Sequence, residues 1–206
     1  MVIKTVKETS YSGMVKITTS EDGAFYIRQE YLSSINIDLI YPGAYFEGAD
    51  EDEILDAAMA AVVEFKAVSY LGRAEQSRFG LTRKLRTKGY NQFYIDQALD
   101  YLESKDYLSD TRFANAWVSS RLTNHYEGKS KLKAELAGRG ISREVASFVV
   151  DDVFEEFDEM EVCEKAYKKF VKAGKTDSKL TSAMVNAGFS LKQLREVKEK
   201  LEDESI

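Results

Sequence analysis

Three stretches decide the fold: LTRKLRTKGYNQFYIDQALDYL (81–102), LKAELAGRGISREVASFVVDDV (132–153) and LTSAMVNAGFSLKQLREVKEKL (180–201). They align without gaps. Leu81, Leu132 and Leu180 coincide, and four residues on stand Leu85, Leu136 and Met184. Four further on stand Gly89, Gly140 and Gly188, each followed by a large apolar residue (Tyr90, Ile141, Phe189) and then a capping type (Asn91, Ser142, Ser190). Ile95, Ala146 and Leu194, then Ala98, Val149 and Val197, then Leu102, Val153 and Leu201 complete the match. A chance likeness among amphipathic helices does not account for so many ungapped agreements.

Each feature has a physical cause. Two apolar residues four apart form one stripe of a short helix. The Gly ends that helix in the left-handed region, where a Cβ is strained. The Asn or Ser after it accepts backbone N–H bonds and starts the next helix, whose apolar spacing of three then four gives one buried face. Upstream of each copy lies a further amphipathic helix, expected at 51–72, about 109–122 and about 159–173. The module is therefore three helices, repeated three times, and stacked modules bury faces that one alone exposes. Pro42 is the only proline, so nothing in the long stretch after it forbids helix throughout.

The N-terminal segment has another period. In MVKITTSEDGAFYIR (14–28), Val15, Ile17 and Thr19 alternate with polar neighbours, and Asp22-Gly23 precedes Phe25, Tyr26 and Ile27. This predicts a β-hairpin, with Gly23 supplying a positive φ. Ile35-Asn36-Ile37-Asp38-Leu39 is a candidate third strand, turned by Pro42-Gly43. Asp50 is expected to cap the first helix, whose apolar face is Ile54, Ala58, Ala61, Phe65 and Val68. The expected architecture is mainly α: a small β-hairpin unit (1–49), then three tandem three-helix modules (50–107, 108–157, 158–206) in an elongated stack.

Composition narrows the function. Apolar residues make up 44% and charged residues 31%, a soluble globular balance. One Cys (Cys163) excludes an intramolecular disulfide, and one His (His125) excludes a His-rich metal cluster. No apolar run reaches membrane-span length, and MVIKTVKETS lacks a secretory signal's apolar stretch, so a reducing cytoplasm is expected. A net charge of -6 alone argues against a nucleic-acid partner.

The placement of the charges overturns that argument. Residues 73–90 carry Arg73, Arg78, Arg83, Lys84, Arg86 and Lys88 against the single acid Glu75. Residues 121–143 carry Arg121, Lys129, Lys131, Lys133, Arg139 and Arg143 against Glu127 and Glu135. Residues 165–179 carry six lysines, Lys168 and Lys172 among them, against Asp177, whereas residues 144–164 have nine acids and no base. The bases thus fall at one phase of the repeat, around each first turn and second helix. A basic stripe at repeat spacing suits a polyanion or an acidic protein groove.

The run LTRKLRTKGYNQFYIDQALDYLESKDYLSDTRFANAWVSSRL resembles the RecX family, regulators of the RecA recombinase. Lys88-Gly89-Tyr90 matches the family's Lys-Gly-aromatic step, and Leu108-Ser109-Asp110 its Leu-Asp-Asp-like turn. Phe113-Ala114 through Trp117-Val118 to Arg121 matches its Phe-Ala-x-x-Tyr-Val-x-x-Arg helix. Gly128 to Leu132 and then Glu135-Leu136 to Gly140-Ile141 match its basic turn and Glu-Leu-x-x-Lys-Gly-Ile helix. Trp117 stands where Tyr is usual, Gly80 where Glu is frequent, and Asn186-Ala187 replaces the usual basic pair before Gly188. The resemblance implies a curved rod and a monomeric, cofactor-free, non-enzymatic regulator. Its implied partners are RecA and the RecA–DNA filament, with single- or double-stranded DNA also in reach, and no membrane. The basic residues named above become the face toward RecA and DNA. It implies inhibition of recombinase and coprotease activity in DNA repair and the SOS response. The alternative is an autonomous, helix-turn-helix-like DNA-binding repeat protein, but NQFYIDQ, SREVASF and SLKQLRE share no set of groove-reading side chains.

Several residues have plainer readings. Trp117 is expected in the core between modules rather than as a base-stacking platform. His125-Tyr126 reads as an ordinary loop, and Cys163 as a small semi-buried residue. Asp151-Asp152 and Glu155-Glu156 read as a solvated helix face, since they lack a calcium loop's Gly turn. Gly128-Lys129-Ser130 lacks the preceding glycine and strand of a phosphate loop.

Overall fold

A computed structural model describes residues 1–203. The chain divides into two compact units, residues 1–108 and residues 109 onward. The first opens with an antiparallel sheet of β1 (Ile3–Glu8), β2 (Met14–Thr19) and β3 (Ala24–Arg28), in that order. The expected hairpin is β2–β3, with Val15 opposite Ile27 and Ile17 opposite Phe25. Its turn differs in detail, because Asp22 rather than Gly23 takes the positive φ (58°). Asp is among the few side chains that tolerate this region.

The third strand is β1, and 35–39 is not a strand. Asn36 accepts a hydrogen bond from the Asp38 N–H (2.9 Å), closing a single 3₁₀ turn at Ile37–Leu39. The Glu53 carboxylate takes the N–H groups of Ser33 (2.6 Å), Ser34 (2.8 Å) and Ile35 (3.3 Å). Side-chain acceptors have thus claimed donors that a strand needs. β1 escaped the alternation test because its pairing slips between Ile3 and Thr5, so its apolar residues Ile3 and Val6 are three apart.

Three helices complete this unit: α1 (Gly48–Leu71), α2 (Arg78–Thr87) and α3 (Gln92–Ser104). α1 starts two residues before its expected cap, so Asp50 lies in the first turn beside Glu51. There the carboxylates favour the helix dipole without capping. α1 packs against β3 on one side and against α2 and α3 on the other. Ile54, Ala58 and Ala61 are buried as expected, but Val68 is exposed and Phe65 only half-buried. Ala57, Ala60, Val63 and Ala67 are buried instead, because a helix enclosed on several sides has more than one inward stripe.

The sheet is joined to the helices by a buried polar cluster. Arg28 makes paired bonds to Glu64 (Nε to Oε2 2.8 Å, Nη2 to Oε1 2.7 Å), and both side chains are almost fully buried. Tyr31 donates to Glu64 (2.7 Å), while Arg28 Nη1 donates to the Tyr101 hydroxyl (2.6 Å) and the Ser12 carbonyl (2.8 Å). Burial works against the Arg28 charge, but the Glu64 carboxylate outweighs it and holds the guanidinium protonated.

The second unit holds α4 (Asp110–Asn124), α5 (Lys129–Ala137), α6 (Arg143–Glu156), α7 (Glu159–Lys172), α8 (Asp177–Asn186) and α9 (Leu191–Asp203). α4 and α5 pack on α6, and α7 and α8 on α9. The repeat is borne out in backbone detail. Gly89, Gly140 and Gly188 have φ of 86°, 80° and 95°. Tyr90, Ile141 and Phe189 each return an N–H to the carbonyl five residues back, on Leu85 (3.4 Å), Leu136 (3.1 Å) and Met184 (3.2 Å). This is the Schellman closure. Asn91, Ser142 and Ser190 then accept the N–H of Phe93, Val145 and Gln193. Of the repeat's apolar positions, Leu81, Leu85, Ile95, Leu102, Leu132, Leu136, Val149 and Met184 are fully buried, and Leu201 half-buried.

The second and third modules meet through glycine. Gly128 N–H donates to the Ala187 carbonyl (2.8 Å), and Ser130 Oγ to the Gly188 carbonyl (2.7 Å). A Cβ on Gly128 would lie 2.5 Å from the Gly188 oxygen. The Gly128-Lys129-Ser130 sequence is thus a packing joint. Nothing about it cradles a phosphate.

Candidate functional site

The basic residues of the first module lie before α2, on it and, for Lys88, at its C-cap. Leu81 and Leu85 turn inward, so Arg83, Lys84, Arg86 and Lys88 turn outward and are exposed, as is Arg73 in the preceding loop. Arg83 lies over the Phe79 ring (5.8 Å), and Lys84 bonds Gln76 Oε1 (2.6 Å) beside the Tyr70 ring. None of these five makes an ion pair among the described residues. Arg78 differs. Its guanidinium meets Asp100 (2.8 Å), Glu103 (2.6 Å) and Asp96 (3.6 Å) of α3, whose charges outweigh burial and keep it protonated. It therefore staples α2 to α3.

The second module is neutralised from within. Arg121 grips Glu127 through Nε (2.7 Å) and a second nitrogen, and Lys131 reaches the same carboxylate at 2.6 Å. Burial pushes Glu127 toward protonation, but these two cations hold it below the usual carboxylate range. Glu135 gathers Arg139 (3.3 Å), Arg121 (3.7 Å) and Lys131 (3.8 Å). Asp151 on α6 spans Lys133 (2.8 Å) and Lys129 (3.4 Å), and the Lys133 bond is the first cause of its lowered pKa. Asp151 is exposed on α6 as expected, but it is ion-paired there rather than free. Arg143 is exposed at the start of α6.

Trp117 is half-buried at the edge of this core rather than enclosed between modules. The Arg139 guanidinium lies 4.4 Å from its ring centroid and that of Arg121 5.6 Å. Sequence reasoning missed this cation–aromatic pairing, because Arg139 lies in the turn after α5, far along the chain. Tyr126 takes a positive φ (53°), with Lys169 5.7 Å over its ring. In the third module, Lys168 and Lys200 share Glu164 and draw its pKa down to about 2, whereas Lys172 is exposed without an ion pair among the described residues.

Cys163 is fully buried, and burial with the Glu159 and Glu196 charges pushes its thiol up to about 12, so it is no nucleophile at neutral pH. Among the described residues no three His, Cys, Asp or Glu side chains are placed to hold a metal. No described helix is long and apolar enough to cross a membrane.

Residues 66–102 match the model of the first RecX three-helix domain, and residues 109–148 that of the second. The regulatory protein RecX of Treponema pallidum (strain Nichols) is 32% identical over 127 residues, 62% of this chain and 77% of that protein. The chain belongs to the RecX family. A RecX regulatory protein of Clostridium acetobutylicum is 24% identical over 198 residues, covering 87% of this chain and 90% of its own. The RecX-family fold extends across the remaining elements. A crystal structure of regulatory protein RecX aligns with a TM-score of 0.72 at 16% identity, over 96% of this chain and 98% of that one. RecX from Lactobacillus salivarius aligns at 0.60 and 19% identity, over 70% and 97%. Both model matches include a glycine closure described above, at Gly89 and Gly140. Both of these relatives are named regulatory proteins.

Proposed function

We propose that this RecX-family protein regulates a RecA-type recombinase by binding it and its DNA filament, mainly restraining recombinase and coprotease activity in DNA repair and the SOS response. The carrying observation is the set Arg83 and Arg86 on α2 and Lys88 at its C-cap, exposed and without carboxylate partners among the described residues. It lies inside the matched first RecX domain. Free cations of this kind suit the phosphates of a filament-bound strand and acidic protein surface alike. Arg73, Arg143 and Lys172 extend the same role, whereas Arg78 and Arg121 keep to their internal carboxylates. The family's regulatory character argues for the recombinase over independent DNA binding.

The test is a pull-down with the host recombinase, with and without single-stranded DNA, followed by recombinase ATPase assays. Retention that grows when a filament forms, and inhibition that tracks it, support the reading. Failure to retain the recombinase in either condition rejects it.

A further inference from the structure

The basic helices of the first two modules differ physically. On α2 and at its C-cap, Arg83, Arg86 and Lys88 face water. On α5, Lys129 and Lys133 sit one turn apart and face the two oxygens of one carboxylate: Asp151 Oδ1 lies 3.4 Å from Lys129 Nζ, and Oδ2 2.8 Å from Lys133 Nζ. Ser147 Oγ adds a bond to Oδ2 at 3.1 Å, which fixes the carboxylate between the two lysines. The Asp151 side chain is 51% exposed and the lysines 33% each, so a phosphate arriving from solvent meets the same ammonium groups. A carboxylate held across two ammonium groups resembles a phosphodiester in charge and in its pair of acceptor oxygens.

We infer that Asp151 is an internal competitor for phosphate: it occupies Lys129 and Lys133 and so withholds these two cations of α5 from nucleic acid until a dense phosphate array displaces it. The inference rests on the basic faces being the contact to the DNA-bound filament. It assigns Asp151 the part of setting selectivity. Lys129 and Lys133 of α5 engage only where closely spaced phosphates outcompete one fixed carboxylate. Asp152, the next residue on α6, is exposed with no ion pair among the described residues, so it offers a matched control of equal charge.

The measurement is binding of the full chain to a fluorescein-labelled oligodeoxythymidylate by anisotropy, with thermal melts of each variant. Exposed ion pairs are worth up to a few-fold each in an equilibrium constant. Asp151→Asn, which releases two lysines, is therefore expected to tighten binding about three- to tenfold, and Asp152→Asn less than about twofold. Lys129→Gln with Lys133→Gln should barely weaken the wild type, yet erase the gain of Asp151→Asn when combined with it. That double substitution also answers the question if Asp151→Asn folds poorly. If it weakens the wild type as much as Arg83→Gln/Arg86→Gln/Lys88→Gln does, the lysines already work freely and the inference falls. Equal gains from Asp151→Asn and Asp152→Asn reduce the effect to net charge and also overturn it, while binding lost on neutralising α2 leaves the proposed function standing. If no form binds the strand, the inference falls, while the proposed function is decided separately by retention of the recombinase.

Discussion

Gly89 and Gly188 occupy the same repeat position, yet they answer to different constraints. Both need the left-handed backbone region, at φ 86° and 95°. Around Gly89 an added Cβ meets nothing within 4 Å, so Gly89→Ala should cost only the strain of that conformation, about 1–2 kcal/mol. At Gly188 the Cβ would lie 2.8 Å from the Lys131 nitrogen and 2.9 Å from the Gly128 oxygen, both backbone atoms. Gly188→Ala must push the two modules apart as well, and the expected loss exceeds that at Gly89 by at least about 1 kcal/mol. Urea melts of the two variants check the order; equal losses would show that the joint yields freely. The shared backbone demand was legible because the repeat aligns without gaps. The second demand was not, because Gly128 lies far away in sequence and belongs to no copy of the aligned block. Leu136→Ala, at a fully buried position of the same pattern, should cost about 2–5 kcal/mol.

At the scale of elements, the helical modules were readable and the β unit only half so. Helix periodicity, glycine closures and N-caps act within a few residues of each other, so sequence alone exposes them. The segment 33–39 is decided by Glu53, a residue of α1 whose carboxylate reaches across to three backbone N–H groups. Bonds from the Ser34 side chain and backbone are the foremost causes that draw its pKa down to about 2. A carboxylate lowered on folding contributes stability that is full above its unfolded pKa and lost as pH falls through the folded value. The Glu53 contribution should therefore hold above about pH 4.5 and vanish toward pH 2. Carbon-detected NMR titration of the Glu53 carboxyl checks this, and a midpoint near 4.5 would mean the loop is not held by it. The Arg28–Glu64 joint escaped the sequence for a related reason. Arg28 ends a strand and Glu64 sits mid-helix, and nothing local marks either as buried. Glu64→Ala leaves the Arg28 charge enclosed without its partner, and such breaks cost about 3–5 kcal/mol.

At the scale of the whole molecule, the sequence shows where cations concentrate but hides which of them are free to act. Both basic clusters looked alike on counting, six cations in each. In space Glu127, Glu135 and Asp151 pair all of the second cluster but Arg143, while Arg83, Arg86 and Lys88, on α2 and at its C-cap, stay unmatched among the described residues. The decisive variable is therefore pairing rather than charge density. Arg83→Gln/Arg86→Gln/Lys88→Gln should relieve inhibition of recombinase ATPase at least several-fold. Folding should be spared, because all three side chains are exposed and surface changes usually shift stability by only about 0.5 kcal/mol. If the same three cations meet single-stranded phosphates, the slope of log affinity against log salt should flatten by about two. The proper charge control is Asp152→Asn/Glu155→Gln/Glu156→Gln, exposed positions of α6 that hold no basic partner among the described residues. Asp151 is unsuitable for that purpose, since it is bound to Lys129 and Lys133. Inhibition retained by the acidic variant and lost by the basic one places the working face on α2. The reverse pattern would move it to α6. Loss of DNA binding with inhibition intact would assign α2 to the strand and the recombinase contact to another surface.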